Sequence, residues 1–281
     1  MKYIDWYNIA QRANIEMFHY RDKHIFLYDD HRTILNVIFE ASKIVEDKRI
    51  PNLIYFDKHD DACQSKPKSV LLEKMGRNSF EEVTSKDFWS FVEFDLSPRD
   101  DDWLLTGMEL GLINNAVVIG QSENDNIITM PNNTYISEDN IEHKLFSIPY
   151  LKDSIDSRGC IGDSCIKDPK DKIIRSVFQF NTDKYHEFED ETYPFILDFD
   201  LDCFTTDCNN KVYAWPEKIF ANEFDTYNGC GYFLWDLINR SQFITICREP
   251  ECRGGIGESN KILGYLDKYI FSGALGTETI F

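Results

Sequence analysis

Apolar runs separated by polar turns predict short buried strands that alternate with helices. Residues 24–29 (His-Ile-Phe-Leu-Tyr-Asp) predict a buried strand, and residues 33–45 then carry apolar side chains at helical spacing. Pro51 interrupts this pattern, and residues 52–56 (Asn-Leu-Ile-Tyr-Phe) predict a second buried strand. A strand, a helix and a strand in so short a stretch indicate a βαβ unit, in which the two strands run parallel.

The alternation continues and predicts a single α/β domain over residues 1–281. Further strands are predicted at 116–119, 173–180, 193–199 and 243–247, and further helices at 103–112 and 261–271. Two polar stretches, about 63–100 and 121–170, interrupt the pattern, and we expect them to be surface loops or insertions. The alternation favours a mostly parallel central sheet, and ligands of such sheets bind at the carboxyl ends of the strands.

Composition narrows the classes of partner. The chain has 30 Lys and Arg against 49 Asp and Glu, a net charge of −19. A surface this acidic repels phosphate groups, so we expect no nucleic-acid and no membrane partner, whereas cationic ligands fit better. The sequence has no apolar run of about 18 residues and no signal-like apolar segment at the N-terminus. We therefore expect a cytoplasmic protein.

Acidic residues and histidines gather where three predicted strands end. The three groups are Asp29-Asp30-His31, Asp57-Lys58-His59-Asp60-Asp61 and Asp198-Phe199-Asp200-Leu201-Asp202. Alternate residues of a strand share a face, so we expect Asp198, Asp200 and Asp202 to crowd together. Crowded carboxylates repel one another unless protons or cations compensate, and carboxylate with imidazole suits a pair of ions such as Mn²⁺. A solvated acidic loop or a calcium-type turn is the alternative.

These three motifs resemble those of the arginase (ureohydrolase) and histone-deacetylase superfamily. There a D-H pair, a D-x-H-x-D motif and a D-x-D motif supply the metal ligands in that chain order. The chain is more closely similar to an arginase-like family that includes peptide arginases, which convert arginine residues of ribosomally made peptides to ornithine. The resemblance spans roughly residues 24–61, 101–120 and 193–255. It implies a three-layer α/β fold with a metal site at the C-terminal ends of the strands.

The resemblance also implies two manganese ions per chain, held by six side chains. One ion would bind His31 and Asp61, the other His59 and Asp202, and Asp57 and Asp200 would bridge both. Asp198 and Asp30 would lie behind these ligands and orient them. A hydroxide bridging the ions would attack the guanidinium carbon of arginine and release urea and ornithine. Relatives in the superfamily often assemble, so the oligomeric state stays open.

Substrate binding is predicted after the strand at 243–247. A carboxylate can hold a guanidinium through paired hydrogen bonds, and Glu249 and Glu251 are both candidates there. Ordinary arginases have Ile-Asn after the D-x-H-x-D motif, and the amide helps to read the carboxylate of free arginine. Here Ala62 and Cys63 follow the motif and cannot do so. This departure favours an arginine-containing precursor peptide as the partner.

Three points stay open at this level. The general acid has no assignment, because the first histidine after His59 is His143, and His143 and His186 are more typical of exposed or core histidines. A single-zinc amide hydrolase of deacetylase type is an alternative function, although such sites lack the full second set of carboxylates. A catalytically silent protein that binds basic peptides in an acidic cleft is another.

Overall fold

The computed structural model describes residues 15–99, 101–120, 134–148, 193–208, 211–224, 230–250 and 254–277, together with Trp6 and Ile9. The strands are β1 (Glu16–Tyr20), β2 (Lys23–Tyr28), β3 (Asn52–Phe56), β4 (Ala116–Ile119), β5 (Thr134–Ile136), β6 (Glu142–Ile148), β7 (Phe195–Asp200), β8 (Thr205–Cys208), β9 (Lys211–Ala214) and β10 (Ile244–Cys247). The helices are α1 (Thr33–Ile44), α2 (Lys68–Lys74), α3 (Ser85–Asp95), α4 (Trp103–Glu109), α5 (Glu217–Phe224), α6 (Cys230–Arg240) and α7 (Ile256–Tyr269).

Eight of these strands form one sheet in the order β1-β2-β10-β7-β3-β4-β6-β5, and β8 and β9 form a separate hairpin. The six inner strands run parallel, namely β2, β10, β7, β3, β4 and β6, whereas β1 and β5 pair antiparallel at the edges. The prediction of an α/β fold with a mostly parallel sheet is therefore confirmed. The two strands of the predicted βαβ unit, β2 and β3, are parallel but not adjacent, because β10 and β7 lie between them.

Helices cover both faces of the sheet. Alternate strand residues point to opposite faces, and in β2 Phe26 and Tyr28 pack into one core while Ile25 and Leu27 pack into another. The first core contains buried residues of α1 to α4, and the second contains buried residues of α5 to α7. Strands buried on both faces need continuous apolar sequence, which is why the apolar runs predicted them.

Residues 63–100 are predicted to be surface loops or an insertion, and the loop alternative is wrong, because α2 and α3 lie there. Helix α3 has a polar composition, but its apolar residues recur at helical spacing and bury one stripe against the core. Phe88 and Phe91 are fully buried, and Phe88 stacks on Phe39 of α1 with ring centroids 4.2 Å apart. Thr84 caps the helix by accepting a hydrogen bond from the Asp87 backbone N–H.

The second predicted polar region, 121–170, is also partly wrong, because β5 and β6 extend the sheet within it. Residues 121–133 and 149–170 and the predicted strand at 173–180 lie outside the described residues, as does His186. His143 is a core histidine at the start of β6, where its Nδ1 lies 2.5 Å from the Asn114 carbonyl oxygen. Asn114 lies just before β4, so His143 is at the amino ends of the parallel strands.

None of the helices in the described ranges has the length and apolar character needed to cross a membrane.

Candidate metal centre

Four neighbouring parallel strands bring the acidic segments to one edge of the sheet. His31 follows β2, Asp57 follows β3, Asp200 ends β7 and Glu249 follows β10. These strands are adjacent in the order β2-β10-β7-β3. Because the carboxyl ends of parallel strands meet at the same edge, segments far apart in sequence converge there.

The first half of the cluster is built around His31. Its Nδ1 atom lies 2.9 Å from Asp61 Oδ2, 3.4 Å from Asp200 Oδ2 and 3.5 Å from Asp57 Oδ2. The His31 ring is fully buried, and the three carboxylates are buried with it. A single imidazole nitrogen therefore faces one oxygen from each of three carboxylates, which is a ligand set typical of a divalent cation.

Asp198 fixes which nitrogen of His31 faces the carboxylates. His31 Nε2 lies 3.0 Å from Asp198 Oδ2, and a carboxylate can only accept, so Nε2 carries the proton. Thr245 Oγ1 donates to Asp198 Oδ1 over 2.6 Å, and Tyr28 Oη donates to the same oxygen over 3.3 Å. The Nδ1 atom is thereby turned toward the oxygens of the cluster. The orienting role that the resemblance implies for Asp198 stays a prediction.

A second half of the cluster is built around His59. Its Nδ1 atom lies 3.0 Å from Asp202 Oδ2 and 3.7 Å from Asp57 Oδ1. The backbone N–H of Lys58 donates to Asp202 Oδ1, and that of His59 donates to Asp57 Oδ1. The His59 side chain is 40% exposed, so this half opens to solvent. Asp57 has one oxygen near each histidine, which is the position of a bridging ligand.

Asp202 reaches the cluster by a route that differs from the predicted one. The strand ends at Asp200, and residues Leu201–Phe204 form a 3₁₀ turn. The Asp200 side chain accepts a hydrogen bond from the Asp202 backbone N–H over 3.2 Å and so caps this turn. The expectation of three carboxylates alternating along one extended strand is therefore wrong for Asp202, which the turn directs toward His59.

Burial and crowding perturb the ionisation of the cluster. Burial raises the pKa of Asp57 well above its usual value, and the charges of Asp61, Asp200 and Asp202 raise it further. Burial alone would lower the pKa of His31, but the charge of Asp198 and its hydrogen bond outweigh this effect and raise the pKa well above its usual value. Because both pKa values are raised, Asp57 and His31 keep their protons to higher pH than usual, and a bound cation could replace those protons.

Two buried atoms of the cluster are consistent with a bound cation. His31 Nδ1 and Asp57 Oδ2 are buried polar atoms for which the described residues offer no aligned hydrogen-bond partner. Buried polar atoms are normally hydrogen-bonded, and an ion is one of the ordinary explanations for an exception. Carboxylate oxygens with imidazole nitrogens are ligands suited to Mn²⁺.

The other predicted site residues have different positions. Glu249 lies beside the cluster, with ligand atoms of Glu249, His31 and Asp200 all within 4.8 Å of one another. Its φ of +33° is in the left-handed region, which non-glycine residues adopt mainly at functional or strained sites. Asp30 instead forms a bidentate ion pair with Arg32 over 2.8–3.0 Å at the rim. Glu251 lies outside the described residues.

Sequence reasoning missed three residues that contact the cluster, namely Tyr28, Thr245 and Trp103. Thr245 carried a usable signal, because a hydroxyl in the apolar run of β10 needs a buried acceptor. Tyr28 carried the same signal more weakly, at the end of β2. Trp103 gave none, since a tryptophan at the start of a helix is ordinary core sequence.

No protein-family model matches the chain, and no curated protein is significantly similar to it. The resemblance to the arginase-like family therefore depends on the three motifs. Independently of the resemblance, the side-chain geometry described above forms groups of histidine and acidic side chains that could hold a metal ion.

Proposed function

We propose that this protein is a binuclear manganese hydrolase with an arginase-like fold. It converts arginine side chains of a ribosomally synthesised precursor peptide to ornithine and releases urea. One observation carries the proposal: His31 Nδ1 faces oxygens of Asp57, Asp61 and Asp200, while Asp57 also faces the His59–Asp202 pair. Burying this many carboxylates is unfavourable without compensating positive charge, and two divalent ions supply that charge.

Each half of the cluster would hold one of the two ions. His31 and Asp61 would hold one manganese, His59 and Asp202 the other, and Asp57 and Asp200 would lie between them. Bound manganese supplies a water of lowered pKa as nucleophile and positive charge for the transition state. Asp198 Oδ2 lies 3.0 Å from His31 Nε2, so that Nδ1 stays directed into the site, where its lone pair would bind the ion.

Glu249 is the residue proposed to bind the substrate guanidinium. Its carboxylate lies within 4.8 Å of ligand atoms of His31 and Asp200, so a guanidinium held by it would have its carbon beside the metal centre. Guanidinium stays protonated at neutral pH and pairs with carboxylates through two parallel hydrogen bonds. Ala62 and Cys63, next to the cluster, offer no amide for a free amino-acid carboxylate, which favours arginine within a peptide.

The most direct test incubates the protein with Mn²⁺ and an arginine-containing peptide and follows the peptide by mass spectrometry. The expected product has lost one cyanamide equivalent per converted arginine, and urea appears in equal amount. Metal analysis should find two manganese ions per chain. Binding of the peptide without mass loss would instead support a silent peptide-binding protein, and one zinc per chain would support a deacetylase-type hydrolase.

Two variants separate the metal site from the substrate site. Asp200→Ala should lose both manganese binding and conversion, and full retention of either would contradict the proposal. Glu249→Gln should keep two manganese ions but raise the KM for the peptide by roughly 10- to 100-fold, because a hydrogen bond to a charged group contributes about 1.5–3 kcal/mol. Glu46→Gln, an exposed change in the segment after α1, is the matched control.

A further inference from the structure

We propose that Trp103 is a positioning residue that secures the His31–Asp61 half of the cluster, so that the two metal ions bind with unequal affinity. This inference rests on the proposed function. Trp103 is the first residue of α4 and is fully buried. Its Nε1–H donates to Asp61 Oδ2 over 2.7 Å, and this is the same oxygen that lies 2.9 Å from His31 Nδ1.

The indole acts on the ligand oxygen itself. Asp61 has φ +48°, in the left-handed region, so it sits at a turn where the backbone leaves the D-x-H-x-D segment. A carboxylate at such a turn can rotate about its side-chain torsions unless a neighbour holds it. The indole N–H donates to Oδ2, and this oxygen can accept a second interaction on the side of His31 Nδ1, which is 2.9 Å away.

The same indole also encloses His31. The two ring centroids are 4.6 Å apart at an interplanar angle of 49°, and Tyr55 packs against the indole edge-on at 5.9 Å. The Tyr55 hydroxyl in turn donates to the backbone carbonyl of Asp60 over 2.6 Å. Trp103 therefore fixes the imidazole, excludes water from it and holds the neighbouring carboxylate, all from one side.

The His59 half lacks this enclosure. The His59 ring is 40% exposed, whereas the His31 ring is fully buried. Water competes for ligands and ions at an exposed site, and an enclosed site with its ligands already oriented loses less on binding. The ion on the His31 side is therefore the tighter and more slowly exchanging of the two.

Trp103→Phe tests this, because it keeps an aromatic ring and removes the N–H donor. We expect manganese titration of the wild-type chain by calorimetry and electron paramagnetic resonance to find one tight and one weaker ion. In Trp103→Phe the tight ion should bind roughly 10- to 100-fold more weakly, the range found when a partner of a metal ligand is removed. The weaker ion should be unchanged. Trp89→Phe removes a similar indole–carboxylate hydrogen bond, to Glu40, and should change neither.

A second pair of variants tests the inference without altering Trp103. His59→Ala should retain one tightly bound manganese, whereas Asp61→Asn should lose the tight ion. If His59→Ala loses the tight ion instead, or if Trp103→Phe binds both ions as the wild type does, the role of Trp103 is wrong while the metal centre stands. If the wild-type chain binds no manganese, the proposed function itself fails.

Discussion

Replacing Asp57 by asparagine should stabilise the metal-free protein and abolish its response to manganese. Asp57 is fully buried and lies in both halves of the cluster, with ligand atoms of Asp61 and of Asp202 within 4.8 Å of its own. Asparagine has the same shape, and its Oδ1 can still accept the hydrogen bond from the His59 backbone N–H. The substitution therefore removes charge and leaves the local geometry intact.

The magnitude follows from the distances. The ligand atoms lie within 4.8 Å of one another, and two unit charges at that limit repel by about 3.5 kcal/mol at an effective dielectric constant of about 20. Protonation relieves part of this repulsion, because burial and the neighbouring acids raise the pKa of Asp57. We expect a net gain of about 1–2 kcal/mol in the free energy of unfolding at pH 7 for metal-free Asp57→Asn. This reverses the usual result for a change at a buried residue, which is destabilisation.

The pH dependence of this gain has a definite sign. A carboxyl group whose pKa is raised in the folded state binds its proton more tightly there than in the unfolded chain. Its contribution to stability is present below the usual value of 3.8 and is lost as the pH rises from 3.8 toward the raised value. The advantage of Asp57→Asn should therefore be larger at pH 8 than at pH 5.

The assay is urea unfolding with a chelator and with excess Mn²⁺. A ligand at 100 times its Kd stabilises the folded state by about 2.7 kcal/mol, so the wild type should gain at least that much and Asp57→Asn almost nothing. Asp267→Asn is the matched control, because the Asp267 carboxylate is equally buried but accepts three hydrogen bonds, from the Leu275 and Thr277 backbone and the Thr277 hydroxyl. That change should destabilise. If Asp57→Asn destabilises the metal-free protein as Asp267→Asn does, the cluster is a structural network and the reasoning fails.

Two further changes test the scaffold around the site. Gly254 has φ +81°, and an added Cβ would clash with the Val212 carbonyl oxygen, so Gly254→Ala should displace the loop that follows β10. The KM for the peptide should rise while manganese binding stays intact. Gly255→Ala is the control, because φ is +94° there but no atom lies within 4 Å of an added Cβ, and it should have the smaller effect. Equal effects of the two substitutions would contradict the role of the Val212 contact. Thr84→Ala removes the cap of α3 and should lower the free energy of unfolding by about 1 kcal/mol, measured in urea. Hydrogen bonds from Thr84 lower the pKa of Asp87 to about 2. The stability that these hydrogen bonds contribute is therefore present above pH 3.8, the usual pKa, and is lost as the pH falls toward 2. An unchanged Asp87 pKa in Thr84→Ala, followed by NMR, would refute this account.

The sequence predicted most of the sheet because its signal is local. Buried parallel strands need apolar side chains on both faces, so β2, β3, β4, β7 and β10 each appear as a mainly apolar run, although Asp198 lies within β7 and Thr245 within β10. The prediction failed over residues 63–100 for a related reason. Helix α3 buries only a stripe, and the polar residues on its other sides dominate the composition while the spacing of Phe88 and Phe91 carries the structure.

The sequence by itself also determined which side chains are available to a metal centre, since the D-H, D-x-H-x-D and D-x-D motifs stand where the strands end. Tertiary structure alone decided how they meet. Strand order is set by contacts between distant segments, and inserting β10 and β7 between β2 and β3 is what brings His31 and Asp57 onto Asp200 and places Glu249 beside them. The turn that directs Asp202 to His59, and the indole of Trp103 on Asp61, likewise depend on packing between segments that no local pattern encodes.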